Sequence, residues 1–99
     1  MIQSFGDRGT EDVFNGANSA AARKACPQAL WSVVRRKLDQ LDSAETIADV
    51  RVPPGNRLES LRGDREGQHS IRINGQYRIC FRWTENGPEA VEIVDYHAG

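Results

Sequence analysis

The sequence predicts an α+β fold in which two N-terminal helices pack on a small antiparallel β-sheet. Apolar residues recur at helical spacing before residue 43 and alternate with polar residues after residue 57. Between these halves stands Val-Pro-Pro-Gly-Asn at residues 52–56, which is typical of a rigid turn. The chain has 99 residues and no internal linker or repeat, so we expect one domain spanning residues 1–99.

The first half contains the predicted helices. Met1–Phe5 alternates weakly and is interpreted as a short strand. Thr10 is predicted to cap a short helix that ends at Asn15-Gly16, and a second helical stretch is expected to begin near Asn18 or Ser19.

Residues 27–42 are predicted to form an amphipathic helix with Pro27 in its first turn. Its apolar side would carry Leu30, Trp31, Val33, Val34, Leu38 and Leu41. Its other side carries Arg35, Arg36, Lys37 and Asp39. We interpret these charges as a solvated face, with contact to RNA or to a partner as the alternative.

The second half is predicted to be β, with strands near residues 58–61, 68–73, 77–83 and 90–96. Apolar side chains dominate the odd positions of the central hairpin around Asn74-Gly75. A two-residue loop would mix the two sets of side chains on each face, whereas an odd-length loop keeps them apart. We therefore predict a three-residue connection with Gly75 left-handed, which places Arg72, Arg78 and Arg82 on one face away from the helices.

The net charge of −1 hides an uneven distribution. Residues 51–83 carry seven arginines against three acidic residues, and residues 84–99 carry four acidic residues and no Lys or Arg. Arginine suits phosphate and base edges, which favours a nucleic acid contact, although surface arginines also keep small domains soluble.

Several classes of protein are not expected from this sequence. No apolar run approaches the roughly 20 residues of a membrane span, and residues 1–7 lack the pattern of a secretory signal. Cys26 and Cys80 are far apart and form no CxxC, so we expect free thiols in a reducing, cytoplasmic protein.

Chemical groups gather at the C-terminal end of the last predicted strand. Asp95, Tyr96 and His97 supply a carboxylate, a phenol and an imidazole next to the arginine-rich sheet. These groups transfer protons and contact phosphates, and an imidazole changes its protonation state near neutral pH. The combination suggests chemistry on RNA.

The sequence resembles the HigB-type toxins of bacterial toxin–antitoxin modules, which belong to the RelE/ParE superfamily. The similarity covers nearly the whole chain and depends on an ordered set of motifs: Leu58, Leu61-Arg62-Gly63-Asp64-Arg65, Gly67-Gln68, Ser70-Ile71-Arg72-Ile73-Asn74, Arg78-Ile79 and Asp95-Tyr96-His97. The stretch from Arg51 to Glu59 resembles the GraT-like branch most.

The resemblance implies a compact RelE/ParE-like fold and a ribosome-dependent endoribonuclease that cuts mRNA in the decoding centre. It implies a HigA-type helix-turn-helix antitoxin as partner, with operator DNA bound only through that antitoxin. No metal, organic cofactor or membrane contact is expected.

The resemblance also suggests roles for particular residues. His97 is the candidate general acid, and Arg72 and Arg78 are the candidate phosphate clamp, with Arg62 as a further phosphate contact. Tyr96 is expected to stack on a base or donate a hydrogen bond, and Asp95 to orient His97 or Tyr96. Each of these has a plain structural alternative: a frayed terminus, solvated charges, or a half-buried strand aromatic.

One position departs from the family. HigB relatives often carry a histidine at the position of Glu59, which here is either the general base or a surface carboxylate paired with Arg57 or Arg62. His69 does not match the family's catalytic histidine and is interpreted as structural.

Two other functions stay open, the first because ParE-type relatives share the fold and the second because Glu59 replaces the family's histidine. A ParE-like chain would inhibit DNA gyrase by binding it, and a weakened toxin would act mainly by binding its antitoxin and tuning operator repression.

Overall fold

The protein is an α+β domain, as the sequence predicts. The computed structural model describes residues 1–96, so the candidate general acid His97 lies outside the described residues. The described helices are α1 (Arg8–Asn15), α2 (Ala20–Ala25) and α3 (Trp31–Ser43). They precede four antiparallel strands in the order β1-β2-β3-β4: β1 (Glu59–Ser60), β2 (His69–Arg72), β3 (Tyr77–Thr84) and β4 (Gly87–Asp95).

Helix α1 begins earlier than predicted. Its N-cap is Asp7, whose carboxylate accepts a 2.7 Å hydrogen bond from the backbone N–H of Thr10. The predicted cap Thr10 is instead buried inside the helix, where its Oγ1 accepts a 2.9 Å hydrogen bond from the backbone of Ile93. The predicted end at left-handed Gly16 and the predicted start of the next helix, capped by Ser19, are confirmed.

The core lies between α3 and one face of the sheet. A 3₁₀ turn, Gln28–Leu30, leads into α3, so the predicted helix over residues 27–42 is largely confirmed. Trp31, Val34, Leu38 and Leu41 are its buried side chains, and they belong to the same cluster as Ile71, Ile79, Phe81 and Val91 of the sheet. Among residues 1–96, we find no helix with the length and hydrophobicity that crossing a bilayer requires.

The N-terminal segment lies beside β4. Phe5 forms an isolated parallel bridge with Val91, while the backbone N–H of Gln3 donates to the carbonyl of Pro88 at 2.7 Å. The predicted strand over residues 1–5 is therefore reduced to a single bridge. Strand β4 begins at Gly87 rather than residue 90, because the residues after the β3–β4 turn already pair with β3.

The central hairpin confirms the predicted loop length but not the predicted glycine. Arg72 pairs with Arg78, and the backbone N–H of Ile73 donates to the carbonyl of Tyr77 at 3.0 Å, which leaves residues 74–76 as an odd-length connection. Gly75 does not adopt a positive φ, so the left-handed prediction is wrong. Asn74 closes the turn instead, since its Oδ1 accepts 2.8 Å hydrogen bonds from the backbone N–H groups of Gln76 and Tyr77.

The register places the arginines as predicted. Residues paired directly across antiparallel strands project from the same face, so Arg72 and Arg78 leave the sheet together, opposite the helix-covered core. We call this surface the arginine face; on β2, β3 and β4 it includes Ser70, Arg72, Arg78, Cys80, Arg82, Glu92 and Val94.

Candidate active site on the arginine face

Arg78 is the most constrained cation of the arginine face. Its Nε donates a 2.7 Å hydrogen bond to Oγ of buried Ser70, and its Nη2 donates a 2.7 Å bond to the backbone carbonyl of Arg57. Only 12% of its side chain is exposed. These contacts fix the plane of the guanidinium before any ligand arrives, so little conformational entropy is lost when an anion binds.

Tyr96 covers this guanidinium from one side. The Cζ of Arg78 lies 5.9 Å from the centroid of the Tyr96 ring, within the range of a cation–π contact. The phenol oxygen lies 3.6 Å from the Sγ of Cys80, and the backbone N–H of Tyr96 donates to the carbonyl of Gln76 at 2.7 Å. The residue stays 42% exposed, so Tyr96 is accessible to a ligand.

The thiol and the phenol are both neutral groups at physiological pH. Burial raises the pKa of Cys80 above its ordinary value, although the contact with Tyr96 and the charge of Arg65 oppose this effect. Burial also raises the pKa of Tyr96, and the contact with Cys80 adds to the increase. The phenol is therefore protonated at physiological pH and does not act as a base, and either it or the thiol donates in the contact between them.

A loop over residues 61–68 is fixed to the arginine face by Arg65. Its Nη1 lies 2.7 Å from Oε1 of Glu92 and 3.1 Å from Oε1 of Gln68. The hydrogen bond to Glu92 raises the pKa of Arg65. This ion pair brings a second cation near Cys80 and Tyr96 and sets the path of the chain that carries Arg62.

Glu59 lies at the edge of the same face. It pairs with Ser70 across β1 and β2, and its Oε1 is 3.9 Å from Nη2 of Arg78. Its side chain is 58% exposed, so the carboxylate is accessible to a substrate. The structure therefore pairs Glu59 with Arg78 rather than with the predicted Arg57 or Arg62.

Other predicted site residues lie apart from this cluster. Arg62 is exposed at the start of the 3₁₀ turn Gly63–Arg65, where its backbone carbonyl accepts from Arg65. Asp95 pairs with Tyr77 on the face opposite Arg78. There it lines a cleft of about 470 Å³ together with residues of α1 and α2, and the predicted roles of both residues remain predictions.

His69 is placed on the helix-covered side, in agreement with its structural interpretation. Its ring stacks on Phe81 with a centroid distance of 6.2 Å and an interplanar angle of 23°. Its Nδ1 is buried without a hydrogen-bond partner among the described residues. It therefore contributes packing near the sheet edge and does not join the cluster around Arg78.

The sequence predicts no role for four groups that contact residues of the site: Ser70, Cys80, Arg65 and the carbonyl of Arg57. Ser70 and Cys80 share the alternation of Arg72 and Arg78, so the strand pattern could have placed them on the same face. The contacts of Arg57 and Arg65 depend on how two loops fold over the sheet, and alternation carries no information about that. Among residues 1–96, no group of three or more His, Cys, Asp or Glu side chains is arranged to hold a metal ion.

Comparison with known proteins identifies the family of this chain. The family model described as "RelE-like toxin of type II toxin-antitoxin system HigB" matches residues 3–97. The chain belongs to the HigB-like toxin family. The chain is also 46% identical over 85 residues to "Toxin HigB-1" of Vibrio cholerae, an alignment that covers 86% of each protein.

A more distant relative carries an activity in its name. "Endoribonuclease HigB" of Proteus vulgaris is 28% identical over 98 residues, which cover 98% of this chain and 100% of the relative. As a member of the HigB-like family, the chain is a toxin of a type II module and its partner is an antitoxin. Its place in the GraT-like branch stays a prediction.

Proposed function

We propose that this HigB-like toxin is a ribosome-dependent endoribonuclease that cuts mRNA on the arginine face. The observation that carries the proposal is the fixed guanidinium of Arg78, held by Ser70 and by the carbonyl of Arg57 beside an exposed tyrosine ring. Family membership and the name of the Proteus vulgaris relative support the same activity.

The proposed reaction is an attack of the ribose 2′-OH on the adjacent phosphorus without a metal ion. The bond from phosphorus to O5′ breaks, which leaves a 2′,3′-cyclic phosphate on one fragment and a 5′-OH on the other. Arg78, with Arg72 next to it across the hairpin, stabilises the charge that develops on the phosphorane. Positioned donors of this kind contribute about 10²–10³-fold to a rate.

Glu59 is the proposed general base and His97 the proposed general acid. Glu59 is exposed and adjacent to Arg78, which is where a base must lie if the guanidinium contacts the scissile phosphate. After the 2′ proton has moved to the base, the acid supplies a proton to the leaving O5′. Each transfer contributes about 10²–10⁴-fold.

The test is mRNA cleavage on translating ribosomes by the natural protein and by Glu59→Gln, Arg78→Ala and His97→Ala variants. We expect cuts positioned by codon in the natural protein and a loss of at least about 100-fold in each variant. An Arg23→Gln variant is the matched control, because it removes one exposed cation from α2, away from the arginine face.

Intact mRNA in the natural sample, under conditions where a relative cuts, would contradict the proposal. Gyrase-dependent DNA damage with intact mRNA would then identify the inhibitor. Normal growth of cells that produce the toxin without its antitoxin would instead identify a weakened toxin whose main role is operator control.

A further inference from the structure

The ammonium group of Lys37 in α3 is held in a fixed position by a hydrogen bond. Its Nζ donates a 2.6 Å hydrogen bond to Oδ1 of Asn56, a side chain with no exposed surface. Asn56 is itself fixed, because its Nδ2 donates to Oε1 of Gln40 at 3.0 Å and to the carbonyl of Val50 at 3.1 Å. The ammonium of Lys37 is therefore held in place instead of moving freely at the surface.

The surroundings of Lys37 are positively charged. Burial lowers the pKa of Lys37 below its ordinary value, and the charges of Arg36 and Arg72 lower it further. Among the described residues, the ion pairs are Arg8–Asp12, Arg65–Glu92, Arg78–Glu59 and Arg82–Glu89. None of these ion pairs includes Arg36, Lys37 or Arg72. Asp39 lies one turn along α3 from Arg36 but is not paired with it. Lys37 is thus a fixed cation that feels two further positive charges, and cations without a paired carboxylate attract an anion.

This cluster is connected to the candidate active site by one short segment. Asn56, which holds Lys37, is followed directly by Arg57, whose carbonyl accepts the hydrogen bond from Nη2 of Arg78. On the sheet, Arg72 lies opposite Arg78 in the register. The path from Lys37 to Arg78 thus consists of fixed contacts through Asn56 and Arg57, and the charge of Arg72, the cross-strand neighbour of Arg78, acts on Lys37.

We propose that Arg36 and Lys37, with Arg72 beside them, form a second phosphate-binding subsite that holds the RNA backbone next to the phosphate on Arg78. The proposal rests on the proposed nuclease function for its biological meaning, but its binding chemistry is independent of cleavage. The ligand class is the phosphodiester backbone of single-stranded RNA, recognised by charge and not by base sequence.

An unpaired cation cluster of this kind suits RNA better than a small anion. Phosphates recur along the strand, so a chain held at Arg78 carries further phosphates to the neighbouring cations. Each cation that neutralises a phosphate also releases a condensed counterion, which gives the interaction a measurable dependence on salt.

The test measures binding of a 2′-O-methyl oligoribonucleotide of mixed sequence, which the 2′-OH mechanism cannot cut, at a series of salt concentrations. The test variant is Arg36→Gln/Lys37→Gln. The glutamine at position 37 removes the charge but keeps an N–H group that can donate to Asn56, which favours retention of the fold. An Arg23→Gln/Lys24→Gln variant removes the same charge from exposed positions of α2 and serves as the control.

For a single strand, each lost phosphate contact lowers the slope of log K against log salt by about 0.7. We expect the slope of the Arg36→Gln/Lys37→Gln variant to fall by about 1.4 and the slope of the control to stay unchanged. Equal slopes for the natural protein and the test variant would overturn the proposal. The proposal would also be overturned if this variant bound RNA as the natural protein does but bound the antitoxin more weakly. The cluster would then recognise an acidic protein surface.

A second variant covers the case in which the substitution at Lys37 unfolds the protein. Arg36→Gln/Arg72→Gln leaves the contact between Lys37 and Asn56 untouched and is expected to lower the slope by a similar amount. The result also separates the two proposals. If the natural protein binds RNA through these cations but does not cut mRNA, the subsite is supported and the nuclease is rejected. If the variants bind RNA as well as the natural protein does and the natural protein cuts mRNA, the subsite is rejected and the nuclease is supported.

Discussion

The guanidinium of Arg78 is fixed by a 2.7 Å hydrogen bond from its Nε to the Oγ of Ser70, a fully buried residue on the neighbouring strand. The two side chains leave β2 and β3 on the same face. Ser70 therefore sets the direction in which the guanidinium presents its remaining N–H groups to a ligand.

Replacing this hydroxyl should affect cleavage more than stability. We expect Ser70→Ala to lower the free energy of unfolding by about 1 kcal/mol, because alanine fills nearly the same volume and one hydrogen bond is lost. The cleavage rate should fall about tenfold at unchanged KM, since Arg78 then loses its alignment with the phosphorane and not its charge. A Ser32→Ala variant on the exposed side of α3 is the control, and equal rates for Ser70→Ala and the natural protein would contradict the positioning role.

The ring of Tyr96 should matter more than its hydroxyl. The phenol oxygen is engaged with the buried Cys80, whereas the ring contacts Arg78 and keeps an exposed part. We expect Tyr96→Phe to retain cleavage within about threefold and Tyr96→Ala to lose at least about tenfold, because only the second variant removes the cation–π contact. Single-turnover cleavage measures both, and a Phe variant as impaired as the Ala variant would assign the role to the hydroxyl.

Alkaline pH should destabilise the protein through its buried thiols. Burial raises the pKa of Cys26 from 9.0 to about 11, so the folded state keeps a proton that the unfolded state releases. The contribution is complete below pH 9 and is lost as the pH rises towards 11, by on the order of 2 kcal/mol.

Urea unfolding across this pH range, under reducing conditions, measures the effect. The midpoint should decline between these two pH values in the natural protein and decline less in Cys26→Ala. Part of the decline should remain in that variant, because burial also raises the pKa of Cys80. A midpoint that is independent of pH in the natural protein would show that the thiols do not control alkaline stability.

Asn56 should be one of the most sensitive polar positions for stability. Its side chain has no exposed surface, accepts from Lys37 and donates to Gln40 and Val50. We expect Asn56→Ala to cost about 2–3 kcal/mol, equivalent to a decrease of about 10 °C or more in Tm for a domain of this size.

The matched control for this loss is Asn86→Ala. Asn86 is exposed, and it bonds the side chains of Gln3 and Thr84 only through its own backbone atoms, so a change below about 0.5 kcal/mol is expected. If thermal unfolding gave the two variants the same Tm, the turn around Asn56 would not be a stability determinant.

The sequence predicts those parts of the fold that depend on local periodicity. Alternation along β2 and β3 is sufficient to give the odd loop length and the shared face of Arg72 and Arg78, because a shift of one residue would expose Ile71 and Ile79. Helical spacing likewise gives α3, whose buried residues recur every three or four positions.

The site was predictable only in part, because its central contacts join distant segments. The bond from Arg78 to the carbonyl of Arg57 spans 21 positions, and the ion pair of Arg65 with Glu92 spans 27. The sequence pattern around Arg78 or Arg65 does not indicate which distant residue each of them contacts. The opposite placement of Asp95 and Tyr96 follows from alternation at the end of β4, which separates neighbours that look like one cluster in the sequence.

In the hairpin turn, the sequence predicts that Gly75 sets the conformation, whereas the structure shows that Asn74 closes the turn. Gly75 has no positive φ, and a Cβ added there would meet only Nη2 of Arg72, at 3.9 Å. We therefore expect Gly75→Ala to change stability by less than about 0.5 kcal/mol or to stabilise the fold slightly, because alanine reduces the freedom of the unfolded chain. Asn74→Ala should cost about 1–2 kcal/mol, since it removes the acceptor that closes the turn. Thermal unfolding of the two variants compares them directly, and a larger loss in Gly75→Ala than in Asn74→Ala would restore the left-handed glycine as the element that sets the turn.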